Sequence, residues 1–278
     1  MQIGVRFHDT EKLPFEERLA NIKRQGFSCT HIALKKVEDL PDSLSSLTPG
    51  YAAYLKHAFA DSGIDVAVLG NYQNLANPNA EKLKQIQASY TAHFRFASLL
   101  GCSVVGTETG ASNEDYHYDK EACHSDAALT TFINNIRPVV KDAEKFGVIL
   151  AFEPVYKHIV WNPERARTVL DEIHSPNLQV IFDPVNLLHP DNLEHRDEIV
   201  AQAVKLLGDD IAVIHLKDYQ LINGEMVCMA CGSGDMDYSQ IIRFAKEKKP
   251  FIQATLENTK PDNAVQAREY IQKIEASL

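Results

Sequence analysis

Eight short apolar runs recur along the chain, each followed by a longer segment whose apolar positions have helical spacing. The runs are Ile3–Phe7, His31–Leu34, Asp65–Leu69, Ser103–Thr107, Val148–Phe152, Leu178–Phe182, Ile211–Leu216 and Phe251–Leu256. Successive starts lie between 28 residues apart (3 to 31) and 45 apart (103 to 148), room for a strand, a helix and two loops. Several runs are apolar almost throughout, as parallel strands covered on both faces are. The segments between them carry helix punctuation. Thr48-Pro49, Asn77-Pro78 and Asn162-Pro163 each offer a capping residue with proline at the first helical position. Gly26, Gly63, Gly101 and Gly147 stand where a helical pattern ends before the next strand. The stripe Tyr90, Phe94, Phe96, Leu99 and Leu100 reads as the helix face that packs on the sheet.

Alternating strand and helix signals imply right-handed βαβ units and a parallel sheet. Eight units predict closure into one (β/α)8 TIM barrel over residues 1–278, with an open doubly wound sheet as the alternative. No G-x-G-x-x-G follows an early strand, which weighs against a dinucleotide site. The longest polar interruption, Gly110–Ser125, follows the fourth run and holds Asp115, Tyr116, His117, Tyr118 and Asp119. On a barrel it would overhang the C-terminal face as a lid. Cys228-Met229-Ala230-Cys231 lacks the second pair that structural zinc needs, so a loop with two incidental cysteines is expected. Gly232 and Gly234 could form a phosphate-cradling nest, but turn chemistry explains them equally well.

Composition narrows the function classes. With 45% apolar and 24% charged residues the chain is of soluble globular type. A formal net charge of -10 argues against nucleic-acid and anionic-membrane partners. The one basic cluster, Lys246, Lys248 and Lys249, sits at an expected helix end, where cations complement the dipole. No apolar run approaches the roughly 20 residues that span a bilayer. Met1 leads directly into the first strand pattern, a start from which no targeting segment is expected. Five cysteines, an odd number, suit a reducing compartment, so a cytoplasmic location is expected.

The chemistry lies where strands end. The fifth run leads into Glu153-Pro154 and the sixth into Asp183-Pro184; the seventh contains His215 and the eighth ends at Glu257. One carboxylate after a strand is ordinarily an N-cap or a surface group. In a barrel, however, four successive ends converge, and three carboxylates packed together repel while burial adds a desolvation cost. One divalent cation between Glu153, Asp183, His215 and Glu257 resolves both problems. Oxygen-rich ligation with one imidazole favours Mn2+ first, with Mg2+, Co2+ or Zn2+ as alternatives.

The segments AFEPV, VIFDPVN, VIHLKD and TLEN, with CGSGDMDY between the last two, resemble the strand-end motifs of the xylose-isomerase-like barrels, specifically the sugar phosphate isomerase/epimerase group, in the superfamily of the AP endonuclease family 2 enzymes. The resemblance implies the same four ligands and gives Glu153 and Glu257 the acid/base role. It implies a metal-dependent isomerase or epimerase of a sugar, or of a sugar-like keto-acid or polyol. Such an enzyme moves a proton through a metal-stabilised enediolate, with a lyase or dehydratase using the same abstraction as the alternative. Three positions depart from the epimerase pattern: Asn186 stands for a histidine, Ile159 for a glutamate and Leu221 for an arginine. An endonuclease IV-like repair enzyme is disfavoured, because Asn71, Glu108 and Asn186 fall at or near positions where its zinc cluster uses histidine. A non-catalytic sugar-binding subunit is disfavoured by the complete ligand quartet. Substrate contacts are expected from His8, Asn71, Glu108, Lys157, His158, Asn186 and Lys217, with Tyr72 and Trp161 nearby in sequence. The expected partner is a small carbohydrate or keto-acid, with a homo-oligomer possible.

Overall fold

The computed structural model of the protein describes residues 1–278. Its strands are β1 (Gln2–Arg6), β2 (Cys29–Ile32), β3 (Asp65–Gly70), β4 (Val104–Glu108), β5 (Ile149–Glu153), β6 (Leu178–Phe182), β7 (Ile211–Leu216), β8 (Asp218–Ile222), β9 (Glu225–Met229) and β10 (Gln253–Leu256). All but β8 and β9 pair in parallel and close as β1-β10-β7-β6-β5-β4-β3-β2, so the predicted eight-stranded TIM barrel is the fold and the open sheet is not. The helices are α1 (Phe15–Arg24), α2 (Pro49–Ser62), α3 (Ala80–Leu100), α4 (Lys120–Cys123), α5 (Asp126–Phe146), α6 (Pro163–Ile173), α7 (Arg196–Leu207), α8 (Ser239–Lys248) and α9 (Ala264–Ser277). No helix is long and apolar enough to cross a membrane.

Apolar side chains form two cores. A small one fills the barrel with Cys29, Ala67, Val68, Val104, Ala151, Ile181 and Val213. The larger one, with 68 buried residues, lies between strands and helices, so most of the hydrophobic stabilisation comes from docking the helices. Thr48 and Asn162 cap α2 and α6 as expected, each with proline inside the first turn. The cap of α3 is Asn79 rather than Asn77, whose side chain accepts instead from the Asn79 N–H. Gly63, Gly101 and Gly147 close their helices, and Gly26 lies one residue past the end of α1's cap. Tyr90, Phe94, Phe96 and Leu100 are buried on the inner face of α3, but Leu99 points outward. Lys246 and Lys248 occupy the last turn of α8, as expected.

Three expectations need correction. The second strand begins at Cys29, two residues before the apolar run, because Cys29 and Thr30 are themselves inward and outward strand positions. The segment around Cys228 is not a loop: β8 and β9 form an antiparallel hairpin directly after β7, placing Cys228 opposite Tyr219. The polar stretch after β4 contains α4, capped by Asp119, and ends at Ser125, which caps α5. Beyond the hairpin, Asp218 accepts from the N–H groups of Tyr219, Gly232 and Met236, so its carboxylate ties the glycine-rich segment down. A Cβ on Gly234 would stand 2.2 Å from the Tyr219 carbonyl oxygen. Gly234 therefore serves close backbone approach, and Gly232 takes a left-handed turn conformation under the Tyr270 ring.

One buried cation fixes the connection after β1. Arg18 on α1 donates to Thr10 Oγ1 at 2.8 Å, to the Phe7 carbonyl at 2.8 Å and to the Thr10 carbonyl at 3.2 Å. Its guanidinium also lies over the Phe7 ring, 4.4 Å from the centroid. Replacing it with methionine keeps the volume but removes all three bonds, leaving the buried Thr10 carbonyl without this donor. Arg18→Met is expected to cost about 2–4 kcal/mol in chemical denaturation; a loss of less than about 0.5 kcal/mol would contradict this anchoring role.

Candidate active site

Side chains alternate across a strand, so every second residue of a barrel strand faces the axis. Toward the C-terminal ends these inward sets run Gly4-Arg6 on β1, Cys29-His31 on β2, Gly106-Glu108 on β4 and Ala151-Glu153 on β5. They continue as Ile181-Asp183 on and after β6, Val213-His215-Lys217 on and after β7, and Thr255-Glu257 on and after β10. Small or apolar residues fill the lower layers, and the topmost layer is ionisable almost all the way round.

The resulting cluster is deeply buried: Glu153, Asp183, His215, Lys217 and Glu257 are each at most 5% exposed. His215 Nδ1 lies 3.5 Å from Glu153 Oε2 and 3.3 Å from Glu257 Oε1. Lys217 Nζ lies 2.7 Å from Asp183 Oδ2 and 3.5 Å from Glu257 Oε2, and Arg6 Nη1 lies 3.2 Å from that same Glu257 oxygen. Polar neighbours aim the carboxylates. The Val185 and Asn186 N–H groups donate to Asp183 Oδ1 at 3.0 and 3.1 Å, turning Oδ2 inward. Asn186 Nδ2 donates to Glu153 Oε1 at 2.6 Å.

Electrostatics separate these groups. Burial opposes charge on His215, but Glu257 and Glu153 prevail and raise its pKa to about 9. Burial, joined by repulsion from Glu153 and Glu257, raises Asp183 to about 6 although Lys217 pulls the other way. Glu257 is held below the usual carboxylate range: His215, Lys217 and Arg6 outweigh its burial. His31 stacks on His215 with ring centroids 5.1 Å apart; burial and then the neighbouring imidazole push it well below an ordinary histidine. Of the stacked pair, His215 is the one that carries charge.

His215 Nε2 and His31 Nδ1 are buried without a hydrogen-bond partner, while His215 Nδ1 and Asp183 Oδ2 meet only the charged neighbours named above. Polar atoms in that state cost about 1–3 kcal/mol each, so their convergence fits a ligand set better than a packing accident. Donor atoms of Glu153, Asp183 and His215 lie within 4.8 Å of one another, as do those of His31, His215 and Glu257. The four predicted ligands thus meet around His215, in two overlapping sets, and the residues present fit a divalent ion.

The other predicted contacts divide. Glu108 faces the site on β4, in register with Glu153, and accepts from the Tyr116 hydroxyl at 2.8 Å. Tyr116 belongs to the connection expected to act as a lid, and its ring meets His158 edge-on at 5.3 Å. His8 sits in the short turn after β1, where burial lowers it to about 4. Tyr72 shares a 3.2 Å hydrogen bond with His31 Nε2. Asn71 turns toward α3 instead, bonding Ser89 and Gln73. Lys157 is exposed. Trp161 stacks on His124, 4.7 Å between centroids, in an aromatic group with Tyr156 outside the cluster.

Sequence reasoning missed His31 and Arg6. His31 opened the second apolar run, so it read as the start of a strand when it is the next-to-last residue of one. Arg6 lay inside the first run, where parity with Gly4 would have shown it facing the axis. Gly70 makes room for the imidazole: a Cβ there would meet His31 Nε2 at 2.8 Å and the Tyr72 ring at 2.7 Å.

His158 gives a pH signature. Its Nδ1 is buried without a partner, and burial lowers its pKa to about 4 against the pull of Glu153. In the unfolded chain it titrates near ~6.5, so the unfolded state binds the proton first. Its contribution to stability is present above pH ~6.5 and is lost as pH falls toward about 4. His158→Gln is therefore expected to lose less stability than the parent protein across that window in urea titrations; parallel pH profiles would contradict the assignment.

Comparison with known proteins agrees with this architecture. No curated protein sequence matches the chain. Among solved structures, a D-tagatose 3-epimerase-like protein is 18% identical, covers 100% of this chain and 98% of its own, and superposes with a TM-score of 0.77. The probable 3-DHS dehydratase of Bacillus anthracis involved in petrobactin synthesis is 13% identical over 98% of each chain, TM-score 0.74. A Mycobacterium smegmatis barrel in complex with magnesium is 17% identical over 100% of this chain and 96% of its own, TM-score 0.72. The pattern of the xylose isomerase-like TIM barrels matches residues 19–274, and the chain belongs to that family.

Proposed function

We propose that the protein is a divalent-metal-dependent isomerase or epimerase acting on a small sugar or a sugar-like keto-acid or polyol. The observation that carries this reading is the placing of Glu153 and Glu257, whose carboxylates reach one buried imidazole nitrogen at 3.5 and 3.3 Å from strands three positions apart round the barrel. A substrate carbon beside that imidazole would have a carboxylate on either side. One would remove a proton from carbon next to a carbonyl, and the other would return it to the opposite face or to the neighbouring carbon. General acid–base help of this kind contributes about 10²–10⁴-fold. Glu153, Asp183, His215 and Glu257 would hold the ion, with Mn2+ the first candidate for an oxygen-rich set and Mg2+, Co2+ or Zn2+ as alternatives. When bound, it supplies Lewis-acid stabilisation of negative charge on substrate oxygens.

The chain's other residues have matching tasks. Asn186 fixes Glu153 through its 2.6 Å hydrogen bond, which explains why an amide serves at that position. His215, Lys217 and Arg6 keep Glu257 ionised. Tyr116 holds Glu108 beside Glu153, where the pair would help to shield the developing charge from water. A dehydratase is the second reading, favoured by the Bacillus anthracis neighbour: it would begin with the same proton removal and then expel a hydroxyl group.

Metal content with and without chelator, together with deuterium incorporation into a panel of ketoses and keto-acids in heavy water, tests the proposal. Metal-dependent exchange is expected, and Glu257→Gln should slow it by about 10²-fold or more. Exchange at the parent rate in Glu257→Gln would remove that residue from the chemistry. Loss of water from the substrate, in place of a rearranged or inverted product, would move the enzyme to the dehydratases.

A further inference from the structure

We infer that Lys217 is an internal competitor for the metal: its ammonium group holds the metal-free ligand set together and must leave before a divalent ion can bind. The inference rests on the metal-centre reading above. Lys217 Nζ touches carboxylate oxygens of two proposed ligands, Asp183 at 2.7 Å and Glu257 at 3.5 Å, and so stands between strands β6 and β10 across the cluster. Its side chain is 6% exposed, so this charge is committed to the cluster and not to solvent.

Spacing separates what an ammonium group can hold from what a divalent ion needs. Carboxylate oxygens lie ~2.0–2.2 Å from Mg2+ or Zn2+, so two of them on one ion stand no more than about 4.4 Å apart. Around Lys217 the two carboxylate oxygens rest at 2.7 and 3.5 Å from Nζ, farther than a divalent ion would hold them. The two oxygens are thus gathered by a monovalent group with longer contacts than an ion would make.

Charge makes the same point. Lys217 already stands between the buried carboxylates of Asp183 and Glu257, and Arg6, itself paired with Asp9, stands on Glu257. A divalent ion added with Lys217 still in place would sit beside a buried like charge, and the incoming cation and the ammonium would compete for Asp183 Oδ2. Glu257 would not be stranded by the exchange, because Arg6 Nη1 stays on it at 3.2 Å. Lysine suits this duty better than arginine, being a compact charge on a flexible stem that can swing away. The consequence is that Lys217 lowers metal affinity, whereas a lysine that merely oriented the ligands would raise it.

The test is a Mn2+ titration of chelator-stripped protein, comparing the parent with Lys217→Met by calorimetry. Loss of one buried charge-assisted contact to a competitor corresponds to about tenfold to hundredfold tighter binding, and tightening in that range is expected for Lys217→Met. Equal or weaker affinity in the variant would overturn the inference while leaving the metal centre intact. Failure of both proteins to bind Mn2+, Mg2+, Co2+ or Zn2+ would overturn the metal centre and this inference with it. Should Lys217→Met fail to fold, crystal structures of the parent with and without Mn2+ decide the matter. Separation of Nζ from Asp183 Oδ2 beyond hydrogen-bond distance in the loaded form is expected, and a retained contact would refute displacement.

Discussion

Alternation along eight strands closed into a ring is the constraint from which the rest follows. Once the barrel forms, the axis belongs to every second residue, and the last inward position of each strand has no choice of neighbours. Arg6, His31, Glu108, Glu153, Asp183, His215, Lys217 and Glu257 converge at one end of the axis for that reason. The layers beneath them are small and apolar, so nothing below can compensate their charge. Compensation has to come from within the layer, which is why acids and bases are interleaved round it.

That interleaving makes the groups unequal although they are close. Glu257 gathers Arg6, Lys217 and His215 about it and stays ionised, while Asp183, with burial and two other acids against it, is raised to about 6. Two stacked imidazoles take opposite fates because only one of them faces a pair of carboxylates. Asn186, the short turn after β6 and the connection holding Tyr116 then set the direction in which each charge points. Fold and electrostatics are thus one design, with burial supplying the field and loops supplying the aim.

Most of the barrel was legible in the sequence, because parallel strands covered on both faces leave near-continuous apolar runs and helices leave caps. The four acidic and imidazole groups at strands five to eight were legible for the same reason: a charge at the end of such a run interrupts it visibly. Arg6 and His31 were not, since one sits within its run and the other was taken for a strand's first residue. The β8–β9 hairpin was hidden as well, because Gln220, Glu225 and the cysteines give no strong alternation and its pairing depends on Asp218 tying down the segment that follows. Lys217 could be placed on the same face as His215 by parity, but only the packed structure shows that it rests on Asp183.

The absent side chain at Gly70 is itself a structural requirement. His31 and Tyr72 share the volume that a methyl group on this residue would fill. Alanine at position 70 would therefore push the ring at 31 or the ring at 72 out of its place, and with it the stacking on His215. Residues of two segments, the end of β2 and the end of β3 with the turn after it, are in this way coupled by an atom that is not there.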